Sequence, residues 1–329
     1  MKCVPAPTHL FLEITTECQL RCQQCHYWTT KERLGVLSLE EKRGLLEQFI
    51  QINPSGVVIF TGGEPLLRLN HVLELSRQCR KAGLLSVVST NAATISPEVA
   101  EALIKDGPSY IAVSIDSHLD KLHDQIRGVP GTFQKAVAAI REMLRQKVAQ
   151  RSSSRIFISS ILCELNIADC LQLAKFAKTL GVDGVTYQVL EPTFALATER
   201  DAFYERHWFK NVVEAQKQIE QLATLYAGDP FLLLNEQDLE WLKALIAHSD
   251  LLPEPVCDSS ERNLWVDSYG ETRLCAYMEK VTTPPSLGNI RQHTLASMWS
   301  GRIADSARPL MAKCRQTCGM LNCHRRRTM

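Results

Sequence analysis

Three thiols crowd one short segment near the start of the chain, where Cys18, Cys22 and Cys25 give the spacing C-x3-C-x2-C within TTECQLRCQQC. Thiolates are soft donors that suit iron–sulfur clusters and zinc. Three of them converging from a single loop reach three corners of an iron–sulfur cube and leave the fourth iron open, although such clusters usually take four cysteines. An open iron is a coordination site for a substrate or cofactor. The same residues allow two other readings, a zinc site completed by His26 and three unligated cysteines filling core space. Zinc spacing normally pairs one C-x2-4-C with a second, distant pair, which this segment does not supply.

The remaining sulfur is distributed unevenly. Cys257, Cys275, Cys314, Cys318 and Cys323 fall in the last quarter, while Cys3, Cys79, Cys163 and Cys170 are scattered. Twelve cysteines in 329 residues is a sulfur-rich chain. Its start, MKCVPAPTHLFLEITTEC, lacks the apolar stretch of a secretory signal, and no apolar run reaches the roughly 18 residues needed to cross a bilayer. The expectation is a cytoplasmic protein without a membrane partner, in which thiolate ligation explains the cysteines better than disulfides do. With 37 basic against 36 acidic side chains the net charge is +1, so the electrostatic footprint of a nucleic-acid-binding protein is absent. The RRR at 325–327 reads as a solvated tail, the sharper alternative being contact with an acidic partner segment.

The elements that must hold the first thiol loop are legible as repeated β-α units. Strands are expected at 10–15, 57–61, 85–90, 110–115, 155–162 and 184–190, with helices near 39–52, 69–82, 97–105, 132–148 and 169–180. Ser38 with Glu41 predicts a capping box, Ser96-Pro97 an N-cap followed by proline at the first helical position, and Arg68-Leu69-Asn70 a weaker start. Parallel units in such a row curl into a partial (β/α)6 TIM-type barrel, which puts its chemistry at the carboxyl ends of the strands. The unusual residues fall there: the thiol loop follows the first strand, TGGEP ends the second, STNA the third and SIDS the fourth. At 45% apolar and 22% charged residues the chain supports a large core. We expect a barrel domain over 1–195, a helical bridge over 196–254 and a small Cys-rich domain over 255–329.

With these motifs in order, residues 10–190 resemble the radical S-adenosylmethionine (SAM) superfamily. In that family the three cysteines hold a [4Fe–4S] cluster whose open iron takes the methionyl amine and carboxylate of SAM, and an electron from the cluster cleaves SAM to methionine and a 5′-deoxyadenosyl radical. The resemblance implies that Gly62, Gly63, Glu64 and Pro65 form the segment that holds the SAM ammonium, glycine permitting close backbone approach and Glu64 supplying countercharge. Ser89 and Asn91 resemble ribose or carboxylate contacts. Ser114 and Asp116, with His123, Asp124 and Arg127 downstream, resemble the family's S-x-D…HD-x-x-R stretch, from which Ser114 and Arg127 meet the SAM carboxylate. The chain departs from the family before the third cysteine, where Gln24 replaces the usual aromatic residue near the adenine. Tyr27 and Trp28 follow and offer a replacement ring, the alternative being plain packing of the loop.

Cys257-x12-Gly270-x4-Cys275 is similar to the opening of the SPASM or twitch domains that follow some of these barrels, and NLWVDSYGETRLC reads as a hairpin. A full SPASM domain carries seven cysteines for two clusters, whereas this tail has five. The resemblance therefore implies one auxiliary [4Fe–4S] cluster on Cys257, Cys275 and two of Cys314, Cys318 and Cys323. A structural zinc site using Cys318, Cys323 and His324 with an upstream pair is the alternative. Cys163, at the end of the fifth strand, is a candidate hydrogen-atom donor, an S–H bond being weak; filling apolar space is its other reading.

Hydrogen abstraction from an unactivated carbon follows from the resemblance. Proteins of this arrangement commonly modify ribosomally made peptides by epimerisation, cross-linking or excision, and we expect a precursor-peptide substrate. With the first strand starting near residue 10, we expect no separate leader-binding domain ahead of it, so that a leader would bind the barrel, the helical bridge at 201–227 or a separate leader-binding protein. Flavodoxin or ferredoxin is the expected reductant. A small-molecule dehydrogenase or cofactor-biosynthesis enzyme is the alternative, and an electron carrier or zinc-binding module the non-enzymatic one.

Overall fold

Alternation of β-branched runs with amphipathic stretches becomes a parallel sheet wrapped by helices in the computed structural model, which describes residues 4–191, 198–247 and 257–314. Six strands, β1 (His9–Thr15), β2 (Val57–Gly62), β3 (Leu85–Thr90), β4 (Tyr110–Ser114), β5 (Arg155–Leu162) and β6 (Gly184–Val189), pair in sequence order and in parallel. This is the expected partial barrel. Between them run α1 (Leu39–Ile52), α2 (Leu69–Ala82), α3 (Pro97–Asp106), α4 (Asp120–Arg127), α5 (Thr132–Ala149) and α6 (Cys170–Leu180).

Period-two alternation gives each strand an outer and an inner face. Leu10, Leu12 and Ile14 of β1, Val58 and Phe60 of β2, and Ile156 and Ile158 of β5 are fully buried. Their alternates Phe11, Ile59 and Phe157 border a cavity inside the barrel. Helix starts obey the expected capping. Ser38 and Glu41 form the reciprocal box at α1, and Ser96 caps α3, each worth about 1 kcal/mol. Arg68 gives α2 no side-chain cap; a 3-10 turn, Pro65–Arg68, leads into that helix instead.

The expected helical stretch at 201–227 is two helices, α7 (Thr198–His207) and α8 (Val212–Leu225), followed by α9 (Glu236–Ile246). Beyond α10 (Ser259–Arg262), the expected hairpin is formed by β7 (Asn263–Val266) and β8 (Glu271–Arg273), with β9 (Gly288–Asn289) beside it. Strand β7 also pairs in parallel with β1, from His9↔Asn263 to Leu12↔Val266, so one sheet of order β6-β5-β4-β3-β2-β1-β7-β8-β9 runs through both regions. Helices α11 (Leu295–Trp299) and α12 (Arg302–Met311) close the described part of the chain. No described helix is long and apolar enough to cross a membrane.

Candidate active site

The loop carrying Cys18, Cys22 and Cys25 leaves the carboxyl end of β1 and is held from three sides. On the β2 side, the Gly63 N–H donates to Thr15 O (2.8 Å) and the Glu64 N–H to Glu17 O (2.7 Å). On the α4 side, the Arg21 and Gln23 N–H groups donate to Arg127 O and Ile126 O, both at 3.3 Å. The loop's own Trp28 closes the third side, its indole N–H donating to Cys22 O at 2.9 Å. Two glycines make this approach possible. A Cβ on Gly63 would stand 2.1 Å from Glu17 O, and one on Gly128, the left-handed residue ending α4, would stand 2.1 Å from Arg21 O.

All three thiols border the barrel cavity, about 460 Å³ in volume, together with Gln24, Tyr27, Gly62, Gly63, Glu64, Ser89, Asn91, Ser114 and Arg127. Burial pushes the Cys18 thiol up to about 11 and Cys22 up to about 12. Cys25 and Glu64 add to the effect at Cys18, and Cys25 and Cys18 at Cys22, while Arg127 opposes it at both. Desolvated thiols gathered on one loop favour a bound cation that displaces their protons, and an all-sulfur donor set suits an iron–sulfur cluster. The residues therefore fit the cluster that the sequence implies.

Glu64 is 1% exposed. Its Oε1 accepts from the Leu66 N–H (3.0 Å) and the Thr90 hydroxyl (2.8 Å), and its Oε2 from the Asn91 N–H (2.8 Å). An ionised carboxylate accepts about four hydrogen bonds, so three fixed donors orient it and leave capacity for a cationic ligand. Burial raises its pKa, and the same three donors oppose that rise. Pro65 is buried at the first position of the following turn. Asn91 is engaged within the loop assembly: its Oδ1 accepts from Gln19 Nε2 (2.9 Å) and the Ala93 N–H (3.0 Å).

Arg127 reaches the cavity from α4 with its Nε 2.7 Å from Asp116 Oδ2. Burial works against its charge, but Asp116 and then Cys22 hold its pKa above the ordinary value. Asp116 is not among the cavity-lining residues. It is fixed by the Ile161 N–H on Oδ1 (3.0 Å), while its own N–H donates to His123 Nδ1 (3.2 Å), and so it orients Arg127 from behind. Tyr27 borders the cavity, but its hydroxyl donates to Glu13 and its ring stacks on His26 with centroids 4.8 Å apart. Cys163 is not brought to the cavity. It is 2% exposed within the apolar core, its N–H donating to Asn166 Oδ1 at 2.8 Å, and burial pushes its thiol up to about 12. Its apolar-filler reading is the one that this packing matches.

Away from the thiol loop the cavity wall includes an apolar patch of Phe11, Val57, Ile59, Val87, Phe157 and Trp265, the last stacked on Phe11 at 4.6 Å and 14°, with His9, Ser159, Thr186, Gln188 and Arg262 as polar members of the same lining. Sequence reasoning missed Trp265, whose position depends on the β1–β7 pairing, and Glu13, whose only signal was an acid inside the apolar run LFLEIT. In the C-terminal region Cys257, Cys275 and Cys314 lie within electrostatic range of one another, and burial pushes Cys257 up to about 11 and Cys275 up to about 12. This partial set fits a second thiolate-bound cluster on the same grounds. Cys318, Cys323 and His324 lie outside the described residues.

Comparison with known proteins places both regions. A family described as the Radical SAM superfamily matches residues 12–177, and the SPASM family, an iron–sulfur cluster-binding domain, matches 257–324. An AdoMet-dependent heme synthase of Methanosarcina barkeri is 30% identical over 306 residues, covering 89% of this chain and 82% of the relative. The subtilosin biosynthesis protein AlbA of Bacillus subtilis is 24% identical over 304 residues, covering 90% of this chain and 60% of AlbA. Among solved structures, Streptococcus suis SuiB bound to S-adenosylmethionine has a TM-score of 0.70 at 14% identity, covering 92% of this chain and 68% of SuiB. SuiB bound to its precursor peptide SuiA gives a TM-score of 0.68 at 14% identity, with coverages of 92% and 67%.

Proposed function

The chain belongs to the radical SAM superfamily, with a C-terminal SPASM domain, and from that membership we propose that it abstracts a hydrogen atom from a small-molecule substrate seated against the apolar patch of the barrel wall. The observation that carries this reading is the continuity of one cavity from the three thiols to Phe11, Ile59, Phe157 and Trp265. Likeness to the heme synthase, spanning 82% of that relative, supports a small organic substrate. A peptide substrate is the second reading, favoured by the SuiB complex with SuiA and by likeness to AlbA.

In this reading Cys18, Cys22 and Cys25 hold the SAM-binding [4Fe–4S] cluster. Cys257 and Cys275, with two of Cys314, Cys318 and Cys323, hold an auxiliary one. When bound, the first cluster supplies the electron that cleaves SAM to methionine and a 5′-deoxyadenosyl radical. The protein's part is placement and exclusion of water. Glu64 presents a fixed carboxylate to the SAM ammonium beside the Gly62-Gly63 backbone. Arg127, aligned by Asp116, and Ser114 meet the SAM carboxylate, while Ser89 and Asn91 border the ribose. The Phe11–Trp265 wall holds one substrate C–H bond towards the thiol loop and keeps bulk solvent out of the site. We place the reaction in the cytoplasm, with a flavodoxin or ferredoxin as reductant; the peptide reading adds a separate leader-binding protein.

Anaerobic incubation of the reconstituted protein with SAM and dithionite, challenged in parallel with carboxylated tetrapyrroles and with candidate precursor peptides, tests the choice. The small-molecule reading expects 5′-deoxyadenosine formation to rise with a tetrapyrrole and deuterium to pass from labelled substrate into it. Stimulation by peptides alone would replace that reading with the second.

A further inference from the structure

Glu13 stands where three parts of the molecule meet. It sits on β1 opposite Thr61 of β2 and is 5% exposed. One carboxylate oxygen accepts from the Tyr27 hydroxyl of the thiol loop, and the other accepts from the Ser268 N–H at 2.8 Å. Ser268 belongs to the turn between β7 and β8 in the SPASM domain, 255 residues away in sequence. Its stem passes Gly62, where a Cβ would stand 2.8 Å from Glu13 Cγ.

The same hairpin turn grips the descending part of the thiol loop twice more. The Leu37 N–H donates to Ser268 O at 2.8 Å, and the Arg33 N–H donates to the Tyr269 hydroxyl at 2.8 Å. Three contacts thus tie residues 27–37 to one turn of the other domain, and the buried one runs through the Glu13 carboxylate. Burial raises the Glu13 pKa and the hydrogen bonds from Tyr27 and Ser268 oppose that rise, so losing either donor leaves a buried acceptor unsatisfied in an apolar interior.

We propose that Glu13 is a positioning residue which, through Tyr27 and Ser268, lets the seated SPASM hairpin set the orientation of the SAM-cluster loop. The proposal rests on the cluster and SAM assignments above and adds to them a dependence of SAM binding on the C-terminal domain. Its geometry explains why an acid interrupts an otherwise apolar strand: the carboxylate is the shared acceptor for two donors that have no other reason to face each other.

The test is SAM titration of the anaerobically reconstituted, reduced full chain followed by electron paramagnetic resonance, with iron content and thermal unfolding measured on the same samples. Glu13→Gln and Tyr27→Phe are each expected to retain the iron content and the auxiliary-cluster signal but to weaken SAM binding about tenfold and alter the SAM-induced spectral change. The double variant is expected to be no weaker than the poorer single one, because both substitutions break one link. Glu13→Asp, which shortens the arm, is expected not to restore binding. Should Glu13→Gln fail to fold, Tyr27→Phe and Tyr269→Phe each remove a single hydroxyl from the same clasp and read it independently. Wild-type SAM affinity and spectra in Tyr27→Phe and in every folded Glu13 variant would overturn the proposal while leaving the assignment of the site intact. Absence of any SAM-induced change in the wild-type protein would overturn both.

Discussion

At the residue scale, the site separates side chains whose type announced them from side chains whose partners define them. Cys18, Cys22, Cys25 and the Gly62–Pro65 segment were legible because few other chemistries use that spacing. Glu13 was not, since an acid in a strand reads as an outward-facing alternate until the donors around it are known. His123 is a similar case. Burial, and then the Arg127 guanidinium, lower its pKa to about 4, which keeps the ring neutral with Nδ1 accepting from the Asp116 N–H. The unfolded chain takes up this proton near 6.5 and the folded chain near 4. Between those values the folded state binds fewer protons, so stability falls as pH drops through that window and levels off below it, by about 3 kcal/mol in total. Replacing His123 with Asn keeps an acceptor near the same place and removes the titration. Denaturant midpoints at pH 7 and pH 5 are expected to differ less in His123→Asn than in the wild type; equal slopes would show that His123 does not drive the dependence.

Elements follow the same division. Strand and helix positions came through closely, with β3, β5 and α1 at the expected residues, because their apolar periods are long and their caps strong. Helix α4 was invisible as an element. It is eight residues long and mostly polar, and its N-cap residue, Leu119, provides no side-chain cap. Its C-terminal carbonyls nevertheless dock the thiol loop, and Gly128, at φ +71°, lets the loop approach. Gly128→Ala would strain that backbone and drive a Cβ into Arg21 O, at a cost of about 2 kcal/mol or more. The expected outcome is reduced iron at the N-terminal site with the auxiliary signal retained, read by iron analysis and electron paramagnetic resonance. Full iron loading at unchanged stability would mean that the loop is positioned without α4.

On the scale of the whole molecule, the pairing of β7 with β1 builds one cavity from both ends of the chain. Local patterning predicted the β7–β8 hairpin but could not indicate which strand it would join, because the backbone bond from the Thr8 N–H to Arg262 O spans 254 residues. Trp265 enters the cavity wall by this route. Trp265→Ala is expected to lower the substrate-stimulated rate while SAM affinity and cluster content hold; a matching loss of SAM binding would place Trp265 at the cofactor instead. The central claim is that Cys18, Cys22 and Cys25 carry the cluster that responds to SAM, and replacing all three with Ala tests it most directly. With reduced wild-type protein, adding SAM is expected to change the paramagnetic signal and release 5′-deoxyadenosine, whereas the triple variant keeps only a SAM-insensitive auxiliary signal. A SAM-responsive signal, or 5′-deoxyadenosine, from the triple variant would contradict the account.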